Sequence, residues 1–137
     1  MIICDTGPLV AVLNAGDAHH ESCRRLLERE RGPLIVPAPV LTEVCYLAST
    51  RLGAQAEAAF LESVASGELH LEATTSSDLA RMADLVRTYA DFPLGAADAS
   101  VVAVAERLKA TRIATIDHRH FRAVRPRHCS AFVLLPD

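Results

Sequence analysis

The chain has 137 residues, inside the usual size of one domain, and half of them are hydrophobic, which is ample for a core. Aromatic residues make up only 4%, so that core must be built from Ala, Val, Leu and Ile. A net charge of −3 excludes a broad basic nucleic-acid groove while leaving room for a local basic patch, and 13 of the 14 basic residues are arginines.

The four cysteines (Cys4, Cys23, Cys45, Cys129) are widely spaced, with no C-x-x-C pair; Cys4 and Cys45 lie in apolar runs and read as small buried hydrophobes. The start lacks the basic flank and long apolar region of a signal peptide, and Pro33, Pro37, Pro39 and Asp98 break the best apolar stretches well short of a membrane span. The expectation is a reduced, cytoplasmic protein without a membrane partner.

Ile2-Ile3-Cys4 is a short apolar run of the kind buried on both faces of a sheet. Asp5 ends it, Thr6 offers a capping hydroxyl, and Pro8 suits the first turn of a helix that continues to Asn14. Asp5 therefore sits where a central strand gives way to a helix, the place where open α/β sheets bind ligands. Taken alone, it needs no role beyond closing the strand and capping the helix. Gly16-Asp17 breaks the chain, and a helix from about His19 to Glu30 buries Cys23, Leu26 and Leu27 behind a charged face with Glu21–Arg25 and Arg24–Glu28 at pair spacing. His19-His20 reads as exposed surface, with no third ligand near for a metal.

Leu34-Ile35-Val36 is a second buried strand between prolines. A helix follows from near Pro39, with Val40, Leu41, Val44, Cys45, Leu47, Ala48 and Leu52 as its apolar stripe, and Gly53 stops it. Gln55 to Ser66 forms another helix that buries Phe60, Leu61 and Val64 and ends at Gly67; Leu69-His70-Leu71 is a short strand. Thr75 to Asp78 is a capping cluster for a helix whose inner face reads Leu79, Met82, Ala83, Val86 and Ala90. After a loop at 91–95, Ala96 to Lys109 is the clearest helix of the chain. Ile113 to Ile116 is a strand ending at Asp117, a turn or short helix surrounds Phe121, and Phe132 to Leu135 is the last strand. Strands alternating with helices imply a parallel sheet with helices on both faces.

Two acids interrupt apolar helix faces. Glu43 has Val40 and Leu47 as helical neighbours, and Asp98 has Val101 and Val102. A carboxylate on such a face is desolvated at a cost of several kcal/mol unless something pairs with it. Asp5 and Asp117 end strands, so all four acids converge on one edge of the sheet. Four close carboxylates need a proton or a cation, and no well-placed lysine is present. Hard oxygen donors select Mg²⁺ or Mn²⁺, and the chemistry such a site favours is metal-assisted phosphodiester hydrolysis. Individually, Asp98 also fits a plain first-turn acid and Asp117 a plain turn starter.

Through Ile3-Cys4-Asp5-Thr6, Thr42-Glu43, Leu94-Gly95-Ala96-Ala97-Asp98-Ala99 and Thr115-Ile116-Asp117-His118-Arg119-His120-Phe121, the chain resembles a PIN domain of the VapC ribonuclease-toxin type. The resemblance covers almost the whole chain, so residues 1–137 are expected to form a single PIN-like nuclease domain. It implies an α/β/α three-layer sandwich around a parallel sheet, and Asp5, Glu43, Asp98 and Asp117 binding Mg²⁺ or Mn²⁺. It further implies cleavage of structured RNA (transfer RNA or a ribosomal RNA loop), a homodimer, and a cognate antitoxin. Thr6 and Thr115 stand beside acids and are candidates to hydrogen-bond a carboxylate or a metal-bound water. Gly7-Pro8 departs from the family, which often has a serine there. Arg112, Arg119, Arg122 and Arg125, with Arg127, gather near the last acid as candidate RNA-phosphate contacts; an ordinary solvated face explains them equally well. His118 and His120 are not expected to share a metal.

Other assignments fare worse. A haloacid-dehalogenase-like phosphotransfer domain needs an acid where Gly7 stands, and a response-regulator-like one needs a late strand-end lysine, whereas Lys109 lies in a helix. Neither G-x-G-x-x-G nor G-x-x-x-x-G-K-[ST] occurs. A non-catalytic PIN-like binding module remains as the alternative, although such a module is expected to have lost acids.

Overall fold

The computed structural model describes residues 1–137. Five short strands, β1 (Ile2–Cys4), β2 (Leu34–Pro37), β3 (His70–Glu72), β4 (Arg112–Ala114) and β5 (Val133–Leu135), form one all-parallel sheet in the order β3-β2-β1-β4-β5. Ile3 is paired with Ile35 on one side and Ile113 on the other, which makes β1 the centre of the sheet. From β1 the chain winds outward to β2 and β3, then crosses back to β4 and β5. The strand order thus reverses beside β1, and the carboxyl ends of all strands share one edge.

Seven helices flank the sheet: α1 (Thr6–Leu13), α2 (His20–Arg29), α3 (Ala38–Arg51), α4 (Ala54–Ala65), α5 (Ser76–Thr88), α6 (Ala96–Leu108) and α7 (His118–Ala123). None is long and apolar enough to cross a membrane. This is the expected α/β architecture. Gly53 and Gly67, at φ of 102° and 88°, end α3 and α4 in a conformation that favours glycine. All four cysteines are unpaired, and burial pushes the Cys4 thiol up to about 12. On α2 the expected pairs form, Arg24 Nη1 to Glu28 at 2.8 Å and Arg25 Nε to Glu21 at 3.4 Å. His20, expected on the surface, instead places Nδ1 2.8 Å from the Ala11 carbonyl and is half-buried.

α6 is buried on every side from Ala99 to Glu106, because Ala, Ser and Val let neighbouring elements approach all round it. Glu106 is accommodated in this interior by Arg81 of α5, which clamps both its oxygens at 2.7 and 3.0 Å. The face that α5 turns inward differs from the expected one: Asp78, Met82 and Leu85 are buried, whereas Leu79 and Val86 are 56% and 44% exposed. Asp78 is the cause. It closes a capping box with Thr75 and accepts a two-pronged contact from Arg107 of α6 at 2.9 and 3.0 Å, which turns that side of α5 inward. Leu61, expected inside, is also exposed, as is Leu71; β3 is an edge strand, and it starts one residue later than its leucines suggest.

Candidate metal centre

Asp5 is the first residue beyond β1. Its N–H donates to the Ala114 carbonyl at 2.9 Å, so the β1–β4 pairing runs up to the acid itself. Its carboxylate does not cap α1. Instead Oδ2 accepts the Thr115 hydroxyl at 2.9 Å, and Thr115 Oγ1 in turn accepts the Asp117 N–H at 3.0 Å. One buried hydroxyl therefore ties together the chain segments that carry two of the four acids. Gly7 permits this closeness: a Cβ there would stand 2.9 Å from Ile116 Cγ1, so a larger residue would have to displace the Ile116 side chain or the helix. The departure from the family at Gly7 is thus a packing solution. Thr6, expected to cap α1, does not; its hydroxyl is buried without any partner.

The acids feel one another. Burial, reinforced by the Asp98 and Glu43 charges, holds Asp5 well above the usual carboxylate range, at about 6. Asp98, in the first turn of α6 and half-buried above Val101 and Val102, is raised by burial and by the Asp117 and Glu43 charges, partly offset by His120 and the Gly95 N–H. Glu43 does not meet the expectation of a desolvated side chain. It is exposed on α3 and acts on Asp5 and Asp98 through its charge. Asp117 caps α7, accepting the His120 N–H at 3.2 Å, and its second oxygen contacts His120 Nδ1.

The two histidines of α7 face different partners: His118 Nε2 lies 3.1 Å from the Thr115 carbonyl, whereas His120 meets Asp117. The arginines divide. Arg112 opens β4 at the opposite edge of the sheet, where it pairs with Glu30, and it is not part of the acid site. Arg127 donates its backbone N–H to Glu106 and sets its guanidinium 3.8 Å from Asp84. Arg119, Arg122 and Arg125 are exposed on or just after α7, and their guanidinium groups make no ion pair. Arg119 sits with its guanidinium carbon 5.1 Å from the centre of the Phe92 ring. Phe92 was legible only as a loop residue; an aromatic six positions before Asp98 was the available signal.

No three His, Cys, Asp or Glu side chains converge closely enough to hold an ion by themselves. The donor set nonetheless fits a hard divalent cation. It is all oxygen, it concentrates negative charge that raises Asp5 and Asp98, and a buried hydroxyl next in sequence to Asp5 lacks a partner. Mg²⁺ usually keeps several of its waters and needs only one or two carboxylates from the protein, so Asp5 and Asp98, with Glu43 and Asp117 adding charge, would be the residues to hold it. The main concavity, about 660 Å³, lies away from these acids, at the amino ends of β2 and β3, between α1, α2 and α4; Leu9, Leu13, Leu27 and Phe60 line it with Arg24 and Glu28.

The PIN domain family model matches residues 2–125. Ribonuclease VapC26 of Mycobacterium tuberculosis is 33% identical over 135 residues, 98% of this chain and all of that relative. Among solved structures, Mycobacterium tuberculosis VapC20, a sarcin-ricin loop cleaving toxin, superposes with a TM-score of 0.78 at 24% identity over 82% of this chain and 87% of that one. A toxin-antitoxin complex from Klebsiella pneumoniae matches with a TM-score of 0.69 at 16% identity, covering 90% and 92% of the two chains. The parallel sheet, the acids at its carboxyl edge and these relatives agree, and this chain belongs to the PIN domain family, among its VapC-type members.

Proposed function

We propose that this chain is an endoribonuclease toxin dependent on Mg²⁺ or Mn²⁺, with Asp5, Glu43, Asp98 and Asp117 as its metal-site acids and residues 1–137 acting as one nuclease domain. The observation that carries the proposal is the buried carboxylate of Asp5 at the carboxyl end of the central strand, fixed by the Thr115 hydroxyl at 2.9 Å, where burial and the Asp98 and Glu43 charges raise its pKa. A carboxylate buried among other carboxylates costs stability, and groups perturbed in this way cluster at functional sites. The 33%-identical relative, a ribonuclease, supports the activity.

A bound Mg²⁺ or Mn²⁺ supplies charge neutralisation and Lewis acidity at a phosphodiester. The protein's own part is positional. Thr115 fixes the rotation of the Asp5 carboxylate, α6 presents Asp98 in its first turn, and Asp117 is held at the mouth of α7. The substrate class is structured RNA, a transfer RNA or a ribosomal RNA loop, in line with the ribosomal-loop target of the structural neighbour VapC20. Arg119, Arg122 and Arg125 are its candidate phosphate contacts.

The partner is a cognate antitoxin, as in the toxin-antitoxin complex that shares this fold, and the active form is a cytoplasmic homodimer. Leu79 and Val86, seven positions apart on α5, are exposed, and Val86 lines a shallow pocket with Met82, Ala83, Arg87 and Ala96; this face suits a second copy. The absence of three directly converging ligands also suits a non-catalytic PIN-like module. One experiment separates the two. Antitoxin-free protein is incubated with total bacterial RNA, and new 5′-phosphate ends are mapped with Mn²⁺, with chelator, and with Asp5→Asn plus Mn²⁺. Discrete ends that require both the metal and Asp5 are expected. Ends that persist without either, or no ends at all, overturn the nuclease reading.

A further inference from the structure

We propose that Phe92, Arg119 and His120 form a platform that holds an unpaired nucleotide next to the phosphate presented to the acids, with Phe92 as its positioning residue. The proposal rests on the ribonuclease reading in placing a phosphate at those acids. Phe92 lies in the loop that delivers Asp98, while Arg119 and His120 lie in the first turn of α7, directly after Asp117. The cluster therefore bridges the two segments that bring these acids to the sheet edge. The His120 ring centre is 4.8 Å from that of Phe92, and the Arg119 guanidinium carbon is 5.1 Å from it.

Three features point to a nucleotide. The other phenylalanines are elsewhere employed: Phe60 and Phe121 are core residues, and Phe132 packs against the core and lies beside His128. Phe92 alone stands partly exposed beside the acids. Arg119 makes no ion pair, so its charge is available to a phosphate, and its contact with the ring restrains a side chain that would otherwise lose rotamer entropy on binding. His120 contacts both Asp117 and, in a tilted arrangement at 42°, the Phe92 ring, so the aromatic pair and an acid are tied together by one side chain. A π-face beside an unpaired guanidinium is the surface on which unstacked bases rest while their backbone is gripped. A paired A-form helix offers no free base face, so the ligand is a nucleotide from a single-stranded loop or bulge.

The test has two arms. In the first, steady-state cleavage of an RNA found by end mapping is compared for wild type, Phe92→Ala, Phe92→Trp and Arg119→Ala. Base–aromatic stacking predicts a rise in KM of roughly 5- to 150-fold for Phe92→Ala, with kcat within about threefold, and recovery in Phe92→Trp. Arg119→Ala, a change at an exposed side chain, should lower the salt dependence of binding by about one phosphate contact. In the second arm, a single-stranded RNA with 2-aminopurine at successive positions is titrated with metal-free protein. Quenching at one position is expected for wild type and Phe92→Trp, and its loss for Phe92→Ala. An unchanged KM in Phe92→Ala, or a fall in kcat that Phe92→Trp does not repair, overturns the platform while cleavage by the wild type still upholds the ribonuclease. If the wild type cleaves nothing, the ribonuclease reading fails and the second arm decides alone: quenching absent in wild type, or kept in Phe92→Ala, overturns the platform.

Discussion

Replacing Asp5 with asparagine should make the metal-free protein more stable at neutral pH. Burial and the Asp98 charge raise Asp5 from 3.8 to about 6. A carboxylate raised on folding favours the folded state while it is protonated. Its contribution is fully present below the unfolded value near 4 and is lost as the pH climbs through about 6. Two pH units correspond to about 3 kcal/mol, which the ionised wild type forgoes at pH 7.5. Asparagine keeps the shape and an oxygen for the Thr115 hydroxyl but cannot ionise. Allowing for an amide that must find its own partner, the variant should gain about 1–3 kcal/mol at pH 7.5, or roughly 4–12 °C in Tm for a chain of this size. At pH 4.5 the gain should shrink to about a third, because the folded wild type is then protonated.

Chelator-treated wild type and variant, melted by circular dichroism at both pH values, provide the assay. Added Mn²⁺ should raise the Tm of the wild type and leave Asp5→Asn nearly unmoved. A variant no more stable than wild type at pH 7.5 would refute the strained-charge argument. So would a gain of equal size at both pH values, which would point to packing rather than charge.

Thr115→Val removes the hydroxyl that donates to Asp5 and accepts from Asp117; it should cost about 1–3 kcal/mol in urea melts and raise the Mn²⁺ concentration needed for thermal stabilisation. Asp78→Ala loses both the capping box and the Arg107 fork, a change worth about 2–4 kcal/mol. Those contacts hold Asp78 below its ordinary range, so its contribution is present above about pH 4 and fades as the pH falls through its lower folded value; the gap to wild type should narrow there. Leu79→Glu with Val86→Glu should convert a dimer to monomers in light scattering at micromolar concentration without lowering Tm, and an unchanged mass would remove that face of α5 from the interface.

The sheet was legible because its inner strands must be apolar on both faces. Ile2-Ile3-Cys4, Ile35-Val36 and Ile113-Ala114 leave no alternating pattern and are buried as that reading requires. Periodicity was less informative about orientation. On α5 it found a true apolar stripe at Leu79 and Val86 but assigned it to the core, because the side that turns inward is decided by Arg107, 29 residues away. Arg112 misled in the same manner. It is close to Asp117 in sequence, yet β4 runs away from its partner Glu30 toward the acids, so a few residues of strand separate the two ends of the sheet.

The acids themselves divide by how each is placed. Asp5 was readable from its strand, and Asp98 from the valines one turn beyond it, since both are at least half-buried where those neighbours predict. Glu43 is a different case. The buried residues of α3 are Val40, Val44 and Ala48, and at 3.6 residues per turn Glu43 lies roughly 100° around from the middle of that stripe. It is a flank position, open to water, and proximity in sequence to Val40 overstated its burial. What joins it to the site is its charge acting on Asp5 and Asp98, a relation that exists only once α3 and α6 stand over the same sheet edge. In the proposed metal site such a position would serve Glu43 well, because it adds to the field at Asp5 while avoiding the desolvation that strains Asp5 itself.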